Sequence, residues 1–169
     1  MMTPGDLVLY KSRGRWYERV IAFATKGPYV HVGIVFGANY VLAATAHGIA
    51  YDVLPLPVAQ KFCTIVPLQL LVTQEQEAQG MAWAREQKGR EYGWLDIVYQ
   101  ALKFLAPNNP LRFYIEGHYD CSDFATRYLQ HAGVALPDAY SDPYANSPND
   151  LARYFQLLPP RARKDAHAH

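Results

Sequence analysis

Two thiols and six imidazoles are the most reactive side chains in this chain of 169 residues, and their settings differ. Cys121 follows Asp120, a residue type that caps helices, and opens a run in which Phe124, Ala125, Tyr128, Leu129 and Ala132 form an apolar stripe ending at Gly133. A cysteine in the first turn of such a helix meets unpaired backbone N–H groups and the positive end of the helix dipole. Both favour a thiolate, so the sequence predicts reactivity below the ~8.5 pKa of a free thiol. Phe124 and Ala125 lie three and four residues on, which puts Cys121 on the packed face at the edge of the core. Cys63 stands in an apolar extended run and reads as packed and inert.

A thiol nucleophile needs a base. His31 lies near the start of a strand in which Tyr29, His31, Gly33 and Val35 share one face and Val30, Val32, Ile34 and Phe36 the other. The second set reads as core, which leaves His31 beside small Gly33 on a face with room for another element. His118 and Asp120 flank Cys121, and with His31 and His47 they suggest a metal cluster. That set supplies one thiolate and no ligand-pair spacing typical of zinc, so neither a metal nor any other cofactor is expected. Asp123 and His131 suit the start and end of a helix dipole, and His167 and His169 fall in a polar tail.

The elements that must position these groups change period along the chain. Asp6 to Tyr10, Tyr29 to Phe36, Asn39 to Thr45, Gly48 to Val53 and Cys63 to Leu71 read as strands, with a short helix, Trp16 to Ala24, between the first two. Thr73 with Gln76 forms a capping box for a helix through about Gln87 that buries Ala78, Met81, Ala82 and Trp83. A helix from Trp94 to Leu105, a loop from Asn108 to Tyr119, the Cys121 helix and a short helix begun by Ser147-Pro148 complete the pattern. This predicts an α+β fold, an antiparallel sheet packed against helices, in one domain over residues 1–158 with a tail over 159–169.

Composition narrows the function. Sixteen basic against fifteen acidic residues, a net charge of +1, exclude the broad electrostatic footprint of a nucleic-acid binder. Half the residues are hydrophobic and 18% charged, which excludes a disordered chain. No window reaches the ~18 apolar residues of a transmembrane segment, and the start lacks a signal-peptide core, so a cytoplasmic location is expected unless export is unconventional. The sequence carries no signal for the oligomeric state.

YVHVGIVFG followed by NYVLAATAHGI, then GREYGW, then YDCSDFATRYLQHAGV, resembles the circularly permuted papain-like thiol hydrolases related to the NlpC-type amidohydrolases and the lecithin:retinol acyltransferase-like proteins. The histidine segment comes first, the order of the permuted branch, and the likeness runs from Gly5-Asp6-Leu7 to Pro148-Asn149-Asp150-Leu151. It implies that Cys121 is the nucleophile and His31 the general base in acyl transfer through a thioester. The backbone N–H of Cys121 would serve the oxyanion, and Tyr92 resembles the tyrosine that NlpC-type sites place beside the cysteine.

The sequence departs from the family at the residue that orients the histidine. Family members often carry a glutamate in the stretch matching Val41 to Ala44, where this chain has Ala43. With a three-residue hairpin loop at Gly37-Ala38-Asn39, Phe36 pairs with Tyr40 and His31 falls opposite Thr45, with Ala43 and His47 diagonal, so either Thr45 or His47 takes over or the site works as a dyad. The implied substrate is a small peptide or acyl compound. An amide of the peptidoglycan type comes first, with lipid acyl groups as the alternative. A non-catalytic binding relative is the competing class.

Overall fold

β-branched and aromatic residues alternate through the first third of the chain, and both faces of the resulting strands find cover. The computed structural model describes residues 2–45, 47–91 and 119–159. Its strands β1 (Leu7–Lys11), β2 (Tyr29–Gly37), β3 (Tyr40–Thr45), β4 (Gly48–Val53) and β5 (Cys63–Val66) form one antiparallel sheet in the order β4-β3-β2-β1-β5. The helices are α1 (Trp16–Ala24), α2 (Leu56–Phe62), α3 (Gln74–Glu86), α4 (Cys121–His131), α5 (Asp138–Ser141) and α6 (Pro148–Tyr154), with a 3-10 turn at Leu68–Leu70. The α+β architecture is the one expected. The expected helix from Trp94 to Leu105, nearly all of the expected loop from Asn108 and the tail beyond Pro159 lie outside the described residues.

One face of the sheet carries Leu7, Leu9, Val32, Ile34 and Leu42 against Phe124, Tyr128 and Leu129 of α4 and Leu151 of α6. The other carries Val8, Val35, Val41 and Ala43 against Leu54 and Ala59. The cover on this second face includes α2, which apolar periodicity did not reveal. LPVAQKF has no amphipathic pattern, and its start is set by Pro55 as N-cap and a proline in the first turn. The extended run expected from Cys63 to Leu71 ends at Val66, because Pro67 has no N–H for a ladder and leads into the 3-10 turn.

Helix α3 starts at its capping box, with the Thr73 hydroxyl accepting from the Gln76 N–H and the Gln76 side chain accepting from the Thr73 N–H. Met81 and Trp83 pack, partly buried, against the core as expected, but the fully buried residues are Gly80 and Ala84, and Ala78 and Ala82 are exposed. The reason is a close crossing: a Cβ at Gly80 would stand 2.8 Å from the Ala132 Cβ, so the small side of α3 faces α4. Helix α1 has the expected bounds, with Trp16, Val20 and Phe23 exposed.

Two long-range anchors tie the helices to the strands. Buried Tyr128 donates its hydroxyl hydrogen to the Gly5 carbonyl at 2.8 Å, joining α4 to the turn before β1. Asn149, fully buried at the start of α6, accepts from the Tyr29 N–H at 3.0 Å and donates to the Tyr29 carbonyl at 2.7 Å and the Thr25 hydroxyl. It gives the first residue of β2 the pairing that a strand would otherwise provide.

Candidate active site

Asp120 caps α4 as its residue type predicts. One carboxylate oxygen accepts from the N–H groups of Ser122 at 2.7 Å and Asp123 at 2.8 Å, and from the Ser122 hydroxyl at 2.9 Å. This places Cys121 at the first turn, buried among the residues of the helix-facing core. The backbone N–H groups of Val32 and Cys121 favour the thiolate of this sulfur; the Ser122 hydroxyl would do the same, but its one hydrogen goes to Asp120.

The dipole and these donors do not win. Burial and then the nearby Asp120 carboxylate push the Cys121 thiol up to about 12, so the resting sulfur is protonated rather than activated as expected. Asp120→Asn keeps an oxygen to cap the helix and removes the charge. In a Cys63→Ala background, the thiolate absorbance of Asp120→Asn should titrate at lower pH than that of the parent. An unchanged or higher midpoint would remove Asp120 as a cause.

The hairpin register decides where His31 points. Gly37 pairs with Tyr40 across a two-residue turn, and a bulge at Phe36 restores Val35↔Val41 and Ile34↔Leu42. The expected pairing of Phe36 with Tyr40 is therefore replaced, yet the register beyond it is the same. Carried on, it would set His31 against Thr45. The β2–β3 ladder ends at Ile34↔Leu42, and from there β2 is held by β1 through Leu9↔Val32 and Tyr10↔His31.

Alternation sends His31 to the face of Gly33 and Val35, away from α4, and its ring lies 5.2 Å from the Tyr10 ring. Cys63 stands on the other side of Tyr10 in the same cross-strand row. No hydrogen bond or electrostatic interaction joins His31 to Cys121; the peptide between His31 and Val32 is what reaches the sulfur. Burial pushes the imidazole down to about 4 against the opposing pull of Asp52, so His31 is neutral.

The candidates for orienting His31 are engaged elsewhere. The Thr45 hydroxyl donates to the Gly48 carbonyl at 3.0 Å and accepts from the His47 N–H at 3.3 Å, closing the β3–β4 turn, and His47 is exposed. Tyr92 and His118 lie outside the described residues. Among the described residues no group of three His, Cys, Asp or Glu side chains is placed to hold a metal ion. Cys63 is half-buried, and burial raises its thiol to about 11. Asp123 is buried and accepts from the Arg127 guanidinium at 2.6 Å, while His131 stacks on Trp83 at 4.6 Å.

The sequence reading missed three groups around the pair: Ser122, the Val32 N–H and Tyr10. Ser122 was visible as the next residue. The other two depend on the ladder ending at Ile34 and on the β1–β2 register, which no local pattern encodes. Comparison with protein-family models finds no match, and comparison with curated proteins finds none either.

Proposed function

We propose that this protein is a cysteine-dependent hydrolase of the papain-like permuted type that cleaves an amide bond, with Cys121 as nucleophile and His31 as general base. The observation that carries this reading is the place of the sulfur at the start of a capped helix, in the same core cluster as Val32, where the N–H groups of Val32 and Cys121 act as donors that favour its thiolate. The residue before Val32 is the histidine. Donors placed in this way can stabilise developing thiolate and oxyanion charge.

In the proposed cycle the Cys121 Sγ attacks the carbonyl carbon while its proton passes to neutral His31. The tetrahedral oxyanion collapses to a thioester as the amine leaves with that proton. Water then attacks the thioester, giving one proton to His31; collapse releases the carboxylic acid and returns the proton to Sγ. Because His31 leaves β2 on the face away from α4, the cycle requires the start of β2 to rearrange so that the imidazole leaves Tyr10 and reaches the sulfur, at the point where β3 has stopped pairing with β2. The resemblance favours a peptidoglycan-type peptide as substrate and keeps lipid acyl groups as the alternative.

A binding relative without catalysis is the second reading. It is favoured by the protonated sulfur, by the imidazole lying against Tyr10, and by Ala43 at the position where the family often has glutamate. Incubation with p-nitrophenyl acetate followed by peptide mass mapping separates the two. Catalysis predicts an acetyl group on Cys121 faster than on Cys63, and a loss of about hundredfold or more in that rate for His31→Ala. Acetylation no faster than at Cys63, or indifferent to His31→Ala, supports the binding reading.

A further inference from the structure

Helix α1 shows solvent an apolar strip rimmed by cations. At about 100° per residue, Trp16 and Val20 point within about 40° of each other and Arg19 falls about 60° to one side of Trp16, while Arg15 is the extended N-cap residue just before them. Trp16 is 78% exposed, Val20 55% and Tyr17 42%, and Arg13, Arg15 and Arg19 are exposed with them. The one acid of the helix, Glu18, is turned inward and buried, accepting from the Ser12 hydroxyl and the Arg13 and Arg15 N–H groups. The outward side is therefore aromatic and positive.

We propose that α1 docks this protein on the surface of an anionic lipid bilayer, with Trp16 and Val20 entering the headgroup boundary and Arg13, Arg15 and Arg19 meeting lipid phosphates and carboxylates. Charge complementarity selects this occupant. Two copies meeting through α1 would bring the same arginines together, and the side chains of a nine-residue helix offer far less than the ~800 Å² per partner of a stable protein interface. A bilayer accepts a small wedge, suits the amphipathic rings of Trp16 and Tyr17, and supplies the negative charge. The helix lies on the membrane and does not cross it; among the described residues no helix is long and apolar enough to span one.

The test is co-sedimentation of the full chain with vesicles of phosphatidylcholine alone and of phosphatidylcholine mixed with phosphatidylserine. Binding should require phosphatidylserine and be released near 1 M salt, where the screening length is about 3 Å. Arg15→Gln and Arg19→Gln should each lower the partition coefficient about fivefold. Trp16→Ala should lower it about tenfold or more. All three residues are exposed, and circular dichroism checks that the variants keep their fold. Equal binding to both vesicles, no binding, or binding indifferent to Trp16→Ala overturns the proposal. So does a dimer in light scattering that Trp16→Ala dissociates, which would assign the strip to a second copy.

Discussion

Acidification from about pH 6.5 to about pH 4 should remove on the order of 3 kcal/mol of stability through His31 alone. Burial holds the folded imidazole at about 4, whereas in the unfolded chain it titrates near its ordinary 6.5. Above the unfolded value both states are neutral and the group contributes no pH dependence. Between the two values the unfolded chain takes up a proton that the folded protein refuses, so stability falls as pH falls; below about 4 both bind it and the loss levels off. Urea unfolding of the parent and of His31→Gln across this range measures the effect. The parent should show the steeper decline, by about 1.4 kcal/mol per pH unit at most. Parallel declines would mean that the imidazole is not held neutral in the folded protein.

Asn149→Ala should cost about 2–5 kcal/mol, because it leaves both backbone groups of Tyr29 without their partner inside the protein. The residue is fully buried, so water cannot readily take over. Thr25→Ala removes only the third partner and should cost about 1 kcal/mol. Comparing the urea midpoints of the two variants checks the ranking. An Asn149→Ala loss no larger than that of Thr25→Ala would show that the start of β2 is held by its ladder with β1 instead. The consequence reaches the candidate site, because Tyr29 lies three residues before Val32, whose N–H faces the Cys121 sulfur.

Capping explains which parts of the fold were legible. Thr73 with Gln76, Asp120, and Ser147 with Asp150 around Pro148 are short-range devices whose hydrogen bonds close within three residues, and all three helices start where those residues predict. The strands β2, β3 and β4 were legible for a related reason, since their turns lie between them in the sequence. Helix α2 was not, because its residues carry no period and its cover for the second sheet face exists only after the sheet has formed. The face of α3 was read in part: Met81 and Trp83 pack against the core as expected, while Gly80 and Ala84 replace Ala78 and Ala82 inside because α4 approaches them, a fact about the partner rather than the helix.

The candidate site divides in the same way. The sequence by itself determined a cysteine at a capped helix start, a histidine on a strand beside a core face, and an alanine where the resembled family often has an acid. Those are properties of neighbours along the chain. Only the tertiary structure decided that the sulfur is buried beside Asp120 and the Val32 N–H, that the imidazole rests on Tyr10, and that both are electrically neutral. Burial and charge proximity are set by what arrives from distant segments. Here desolvation outweighs the helix dipole that the local sequence supplies.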